Sequence, residues 1–151
     1  MSAQLNQNLY NQDYYQWTVE TANALKSKSY DAVDIEHLIE EIEGMGASER
    51  SQLQNRLEVL IMHLLKLEYQ SGYIGKRGWI LTIKEQRKRL KRLLQKMPSL
   101  KACVQDEATE AYDYAAIRAA KETGITESVF PSMMPYTLTQ LLDDEFYPEN
   151  N

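Results

Sequence analysis

The chain has one cysteine, Cys103, in 151 residues. An internal disulfide and a multi-cysteine zinc site are therefore excluded, and a reducing compartment is expected. Histidine is nearly as scarce, with only His37 and His63. No apolar run is longer than the four residues of Val59–Met62, against the roughly 20 that a membrane-spanning helix needs. The opening stretch MSAQLNQNLY lacks the basic flank and apolar core of an export signal. These absences predict a cytoplasmic protein with no membrane partner. Missing as well are the glycine-rich phosphate loops, the G-x-S-x-G elbow and any Cys-His pairing, so the familiar nucleotide-binding and acyl-transfer templates are not present.

What is there is ordinary globular composition: 43% apolar and 26% charged residues, with ten tyrosines and two tryptophans. That length and composition predict one folded domain over 1–151, with flexible polar ends at about 1–7 and 148–151. The net charge is −5, unevenly spread. Residues 1–49 hold nine acids and two bases, residues 76–101 ten bases and one acid, and residues 102–151 ten acids and two bases. Such segregation points outward to a charged partner or inward to the chain's own acidic helices.

Helical periodicity dominates, and no strand pattern or internal repeat is found. A first helix is expected over about 12–28, where Tyr14, Trp17, Thr21 and Leu25 recur at helical spacing. Asp31 or Asp34 can cap a second, running over about 35–69. The turn QSGYIGKRG separates it from a third over about 79–96. Pro98 stops the third, and Ser99 is the expected cap of a fourth that ends at Gly124. The fourth carries Ala108, Ala111, Ala115 and Ala119, small residues that permit a close neighbour. Thr137 and Gln140 form a capping-box pattern for a short last helix. The expected fold is an all-α bundle of four main helices with a long second helix and a short C-terminal one.

The stretch HLIEEIEGMGASER, residues 37–50, tests that reading. On a helical wheel Ile35, Leu38, Ile39 and Ile42 share one side, and Leu53, Leu57, Leu60 and Leu64 return to that same side. A loop at the glycines has no reason to preserve that phase, so a single helix of about 52 Å is expected; a break with Ser48 as a new cap is the alternative. Gly46 falls within the stripe, which predicts a buried helix-packing role. Gly44 falls on the opposite side, where its cost of about 1 kcal/mol relative to alanine has no evident compensation.

A continuous helix puts His37 and His63 about 39 Å apart, so they share no metal and form no catalytic pair. His63, within VLIMHLLKL, reads as a core-margin histidine with one hydrogen bond. His37 with Glu40 or Glu41 offers two metal ligands, but the Glu-x-x-His repeat of carboxylate-bridged bundles is missing. No catalytic residue, metal ligand or cofactor is assigned.

RGWILTIKEQRKRLKRLLQKM places Trp79, Ile83, Leu90, Leu93, Leu94 and Met97 on one face and Lys84, Lys88, Arg89, Lys91, Arg92 and Lys96 on the other. Arg87 lies at the border, where a guanidinium buries its stem and reaches a carboxylate. One reading pairs this helix internally with Glu36, Glu40 and Glu43, which share one side of the second helix. A second gives Lys84, Lys88, Lys91 and Arg92 to an acidic protein partner. A third gives the same four residues to nucleic acid, against which stand a pI near 5.1 and the few aromatics interleaved on that face.

The segments DIEHLIEEIEGMGASER, LEVLIMHLLKLEYQ, RGWILTIKEQRKRL, MPSL and FPSMMPYTLTQLLDDEFYPE, in that order, resemble domain-of-unknown-function family twenty-nine, a group of small bacterial proteins. The resemblance spans about residues 8–149 and implies an all-helical fold. It assigns no activity, so no site residue is carried over. The functional expectations are a non-enzymatic helical interaction module, an adaptor or regulator binding protein through charged helix faces; a nucleic-acid-associated, antitoxin-like regulator using helix 79–96; or a small helical enzyme with convergent carboxylates. The sequence leaves the oligomeric state open.

Overall fold

In a computed structural model, residues 8–70, 72 and 74–148 are described. The expected flexible ends lie outside these residues, except for Pro148, which is buried. Among the described residues there is no strand. The main helices are α1 (Tyr14–Lys26), α2 (Ile35–Tyr69), α3 (Lys76–Lys96), α4 (Val104–Thr123) and α5 (Leu138–Leu142). Among the described residues no helix is long and apolar enough to cross a membrane. The chain divides into two compact units, residues 1–48 and 49–151.

In the first unit, Asp13 caps α1 by accepting a 3.0 Å hydrogen bond from the Gln16 amide. The helix stops two residues before the expected Lys28. Ser29 N–H returns to the Ala24 carbonyl at 2.8 Å and Lys28 N–H to that of Leu25 at 3.1 Å. Lys28 takes φ 59° to close this left-handed stop. Of the two candidate caps, Asp34 is the one that bonds the start of α2: its carboxylate accepts from the His37 amide at 3.3 Å and also from His37 Nδ1. Trp17, Thr21, Val33 and Asp34 are buried here.

α2 runs unbroken for 35 residues, so the expected single helix through Gly44 and Gly46 forms. The packing role expected of Gly46 does not. A Cβ at Gly46 would meet nothing within 4 Å, and the same holds at Gly44. No residue of α2 before Leu53 is buried. Ile35, Ile39 and Ile42, expected inside, are 51%, 49% and 58% exposed. The physical reason is which side of α2 the N-terminal aromatic residues cover. Tyr10 stacks on His37 at 3.9 Å, and the Tyr10 and Tyr14 hydroxyls donate to Glu41 at 2.5 and 2.6 Å. His37 and Glu41 follow each other at i, i+4 on a side of the helix well away from the isoleucine stripe.

In the second unit that stripe is closed. Leu53, Leu57, Leu60 and Leu64 are fully buried, each contributing roughly 1.5–3 kcal/mol by removal from water. Opposite them α4 presents Ala108, Ala111, Ala115 and Ala119, all buried, so the alanine face serves the chain's own core. Polar bonds fix the direction of this pair: Arg50–Glu107, Gln54–Glu110, Arg118–Glu58 and Lys66–Glu122. The numbers rise together along both helices, so this part of α2 and α4 run parallel, and α3 returns the chain between them.

Within the second unit, helix limits differ from expectation at two places. α3 begins at Lys76 rather than 79, because Gly78 is accepted inside its first turn, its N–H bonding the Gly75 carbonyl at 3.0 Å. Ser99 caps nothing: Pro98–Cys103 is a run of 3-10 turns, and α4 starts at Val104. Gly124, at φ 77°, ends α4 as expected. The Thr137–Gln140 capping box forms in full at α5.

Candidate functional site

The apolar side of α3 is committed to the core, with Trp79, Ile83, Leu90, Leu93 and Leu94 buried. Lys84, Lys88 and Arg92 therefore project to solvent, and Lys91 is half-buried. The 3-10 turns after Pro98 bring Lys101 back beside them. Lys88, Arg89, Lys91, Arg92, Gln95 and Lys101 border a groove of about 710 Å³ with Leu94 and Leu142 in its wall. Lys88 also borders a second hollow of about 540 Å³ with Leu81, Lys84, Glu85, Asp144 and Glu145. Arg89 and Arg92 border a third, of about 570 Å³, with Arg56 and Lys96. The three share side chains, so the outer face of α3 is one cationic band.

Few of these charges are neutralised. Arg89 pairs with Glu85 at 2.9 Å within the helix, and Lys91 with Asp144 at 2.7 Å. Lys84, Lys88, Arg92, Lys96 and Lys101 form no ion pair among the described residues. The field reaches Asp144: the Lys91 ammonium that donates to it, with Arg87 and Lys88 nearby, holds its carboxyl below the usual aspartate value.

Arg87 behaves differently from its neighbours. Expected to reach a carboxylate, it is fully buried and donates instead to two backbone carbonyls, Nε to Leu141 at 2.9 Å and Nη2 to Gln140 at 3.0 Å. Its guanidinium lies 5.3 Å from the centre of the Tyr147 ring. The last carbonyls of a helix have no partner within it, and Arg87 serves those of α5. Burial lowers its pKa. Glu36, Glu40 and Glu43 are exposed, and none of the ion pairs among the described residues uses them. The expected partnership with the basic helix is not among those pairs.

The histidines stand as separate structural groups. His63 Nδ1–H donates to the Val59 carbonyl at 2.8 Å, and burial pushes its pKa down. His37 completes the cap of α2 with Asp34. Among the described residues no cluster of three or more His, Cys, Asp or Glu side chains is placed to hold a metal ion. Lys101, Leu142 and Asp144 escaped the sequence reading because turns 98–103, the end of α5 and the segment after it bring them to the band. The available signal was Lys101 itself, a further base just beyond the helix end.

A family model, the domain of unknown function DUF29, matches residues 9–147. No curated protein and no solved structure matches the chain.

Proposed function

The chain belongs to the DUF29 family, and from that premise we propose that it is a non-enzymatic interaction module, an adaptor or regulator that binds an acidic protein segment along α3. One observation carries the reading: Lys88, Arg92 and Lys101 stand around the 710 Å³ groove without carboxylate partners among the described residues. Opposed charge of this kind speeds encounter and selects partners more than it adds raw affinity. The apolar wall of Leu94 and Leu142 favours a peptide with carboxylates and aliphatic side chains over a bare polyanion.

Nucleic acid is the second reading, since exposed cations on one helix are its usual footprint. One feature favours protein: the groove has no aromatic side chain on which a base stacks.

Affinity capture from native lysate with the wild-type chain and with Lys88→Glu/Arg92→Glu tests the proposal. The expected result is an acidic protein retained by the first and lost by the second. If both chains retain the same proteins, the groove reading is wrong. A salt-sensitive gel shift of RNA or DNA, abolished by the same double substitution, transfers the band to nucleic acid.

A further inference from the structure

The first half of α2 carries a second surface, which neither the groove nor the core of the chain uses. Ile35, Ile39 and Ile42 recur at i, i+4 and i+7 and are each about half exposed, and Met45 is 69% exposed. Contiguous exposed apolar patches, unlike single exposed residues, mark interaction surfaces. Their spacing is that of the anchors by which one helix seats another. Gly46 lies in the same angular sector with nothing within 4 Å of the missing Cβ, which leaves room for a neighbouring backbone.

The two tyrosines bonded to this half of α2 are committed elsewhere. Tyr10 and Tyr14 are bonded to Glu41, and Tyr10 is stacked on His37, on the other side of the helix. Farther along α2 the same angular sector holds Leu53, Leu57, Leu60 and Leu64, all buried. One stripe is thus sealed at its C-terminal end and open at its N-terminal end.

The charge beside it selects the occupant. Glu36, Glu40 and Glu43, at i, i+4 and i+7, form an acidic row along the edge of the isoleucine stripe, next to Ile39. All three are exposed and make no ion pair among the described residues. An antiparallel second copy would set this acidic edge against itself, and like charges so placed oppose association. An anionic bilayer is repelled by the same edge.

We infer that Ile35, Ile39 and Ile42 form a docking surface for an amphipathic helix of another protein whose apolar stripe is flanked by lysine or arginine. The surface is independent of the α3 groove and takes a partner of the opposite sign. A chain with both surfaces joins an acidic partner to a basic one.

The test uses the full-length chain and fluorescence anisotropy with three labelled three-heptad peptides. The first has a leucine stripe flanked by lysine, the second the same composition with the stripe phase scrambled, and the third glutamate in place of lysine. The first is expected to bind about tenfold more tightly than either control. Ile39→Ser/Ile42→Ser should remove that advantage while leaving helicity and thermal unfolding near wild type, because both residues are exposed. Glu36→Lys/Glu40→Lys/Glu43→Lys should transfer the preference to the glutamate-flanked peptide. Lys88→Glu/Arg92→Glu should bind the first peptide as wild type does, so this inference and the groove proposal fail separately. Equal binding of ordered and scrambled lysine peptides overturns the inference, as does indifference to the isoleucine changes. A dimer in sedimentation equilibrium that Ile39→Ser/Ile42→Ser dissociates also overturns it, in favour of a second copy. Isoleucine-dependent binding to phosphatidylserine vesicles does so in favour of a membrane.

Discussion

Arg87 and Leu141, 54 positions apart, are joined by a 2.9 Å hydrogen bond from the guanidinium Nε to the main-chain carbonyl. A fully buried cation thereby ties the C-terminal segment to α3, and the bond to Gln140 doubles the tie. Arg87→Met keeps the stem volume but leaves two carbonyls without a donor. Urea unfolding should show a loss of about 3 kcal/mol, on the scale of hydrogen bonds to a charged donor. Arg87→Lys should recover little, since a point ammonium does not reproduce the planar fork. Hydrogen exchange should locate the damage at residues 138–148; uniform exchange across the chain would refute the local tie.

The glycines of α2 lead to the opposite sign. Gly44 and Gly46 sit in an exposed helix interior with nothing within 4 Å of an added Cβ, so alanine costs no contact and restricts the unfolded chain. Each of Gly44→Ala and Gly46→Ala should stabilise the fold by up to about 1 kcal/mol, read as a higher urea midpoint. A lower midpoint for Gly46→Ala would show that something does approach that face.

Ala115 is fully buried between α4 and the leucines of α2. Ala115→Leu must push two parallel helices apart, with an expected loss of about 1–3 kcal/mol. Ile117→Ala, on the 49% exposed face of the same helix, should change stability far less. Thermal unfolding of the pair separates packing from helix propensity.

His63 gives a pH signature. Desolvation lowers its folded pKa below the ordinary 6.5, the hydrogen bond to the Val59 carbonyl opposing in part. Between the two values the unfolded chain holds more protons, so stability rises with pH there. Acidification below about 6.5 should therefore weaken the fold until the folded value is passed. In His63→Gln the melting temperature should vary less between pH 5 and 7, and an unchanged slope would assign that dependence to other groups.

Several features were legible locally. The unbroken phase of the apolar stripe across Gly44 and Gly46 predicted one helix over about 35–69, and Ile35–Tyr69 is what forms. Gly124 and the Thr137–Gln140 box marked a stop and a start correctly, because caps are made by residues three or four positions apart. Ser99 failed for a related reason: a good capping residue after proline says that the chain can start a helix, and here Pro98–Cys103 winds into 3-10 turns instead.

By itself, then, the sequence determined which segments are helical and the separation of charge, since both depend on neighbours within a turn or two. Which side of each helix meets which partner was decided only in three dimensions. Periodicity shows that Ile35, Ile39 and Ile42 share a face with Leu53 and Leu57, but not that only the leucines are covered. It places Arg87 at the edge of a stripe, but not beneath carbonyls 53 and 54 residues away. Cover and partnership come from segments distant in the chain, and only folding brings those together.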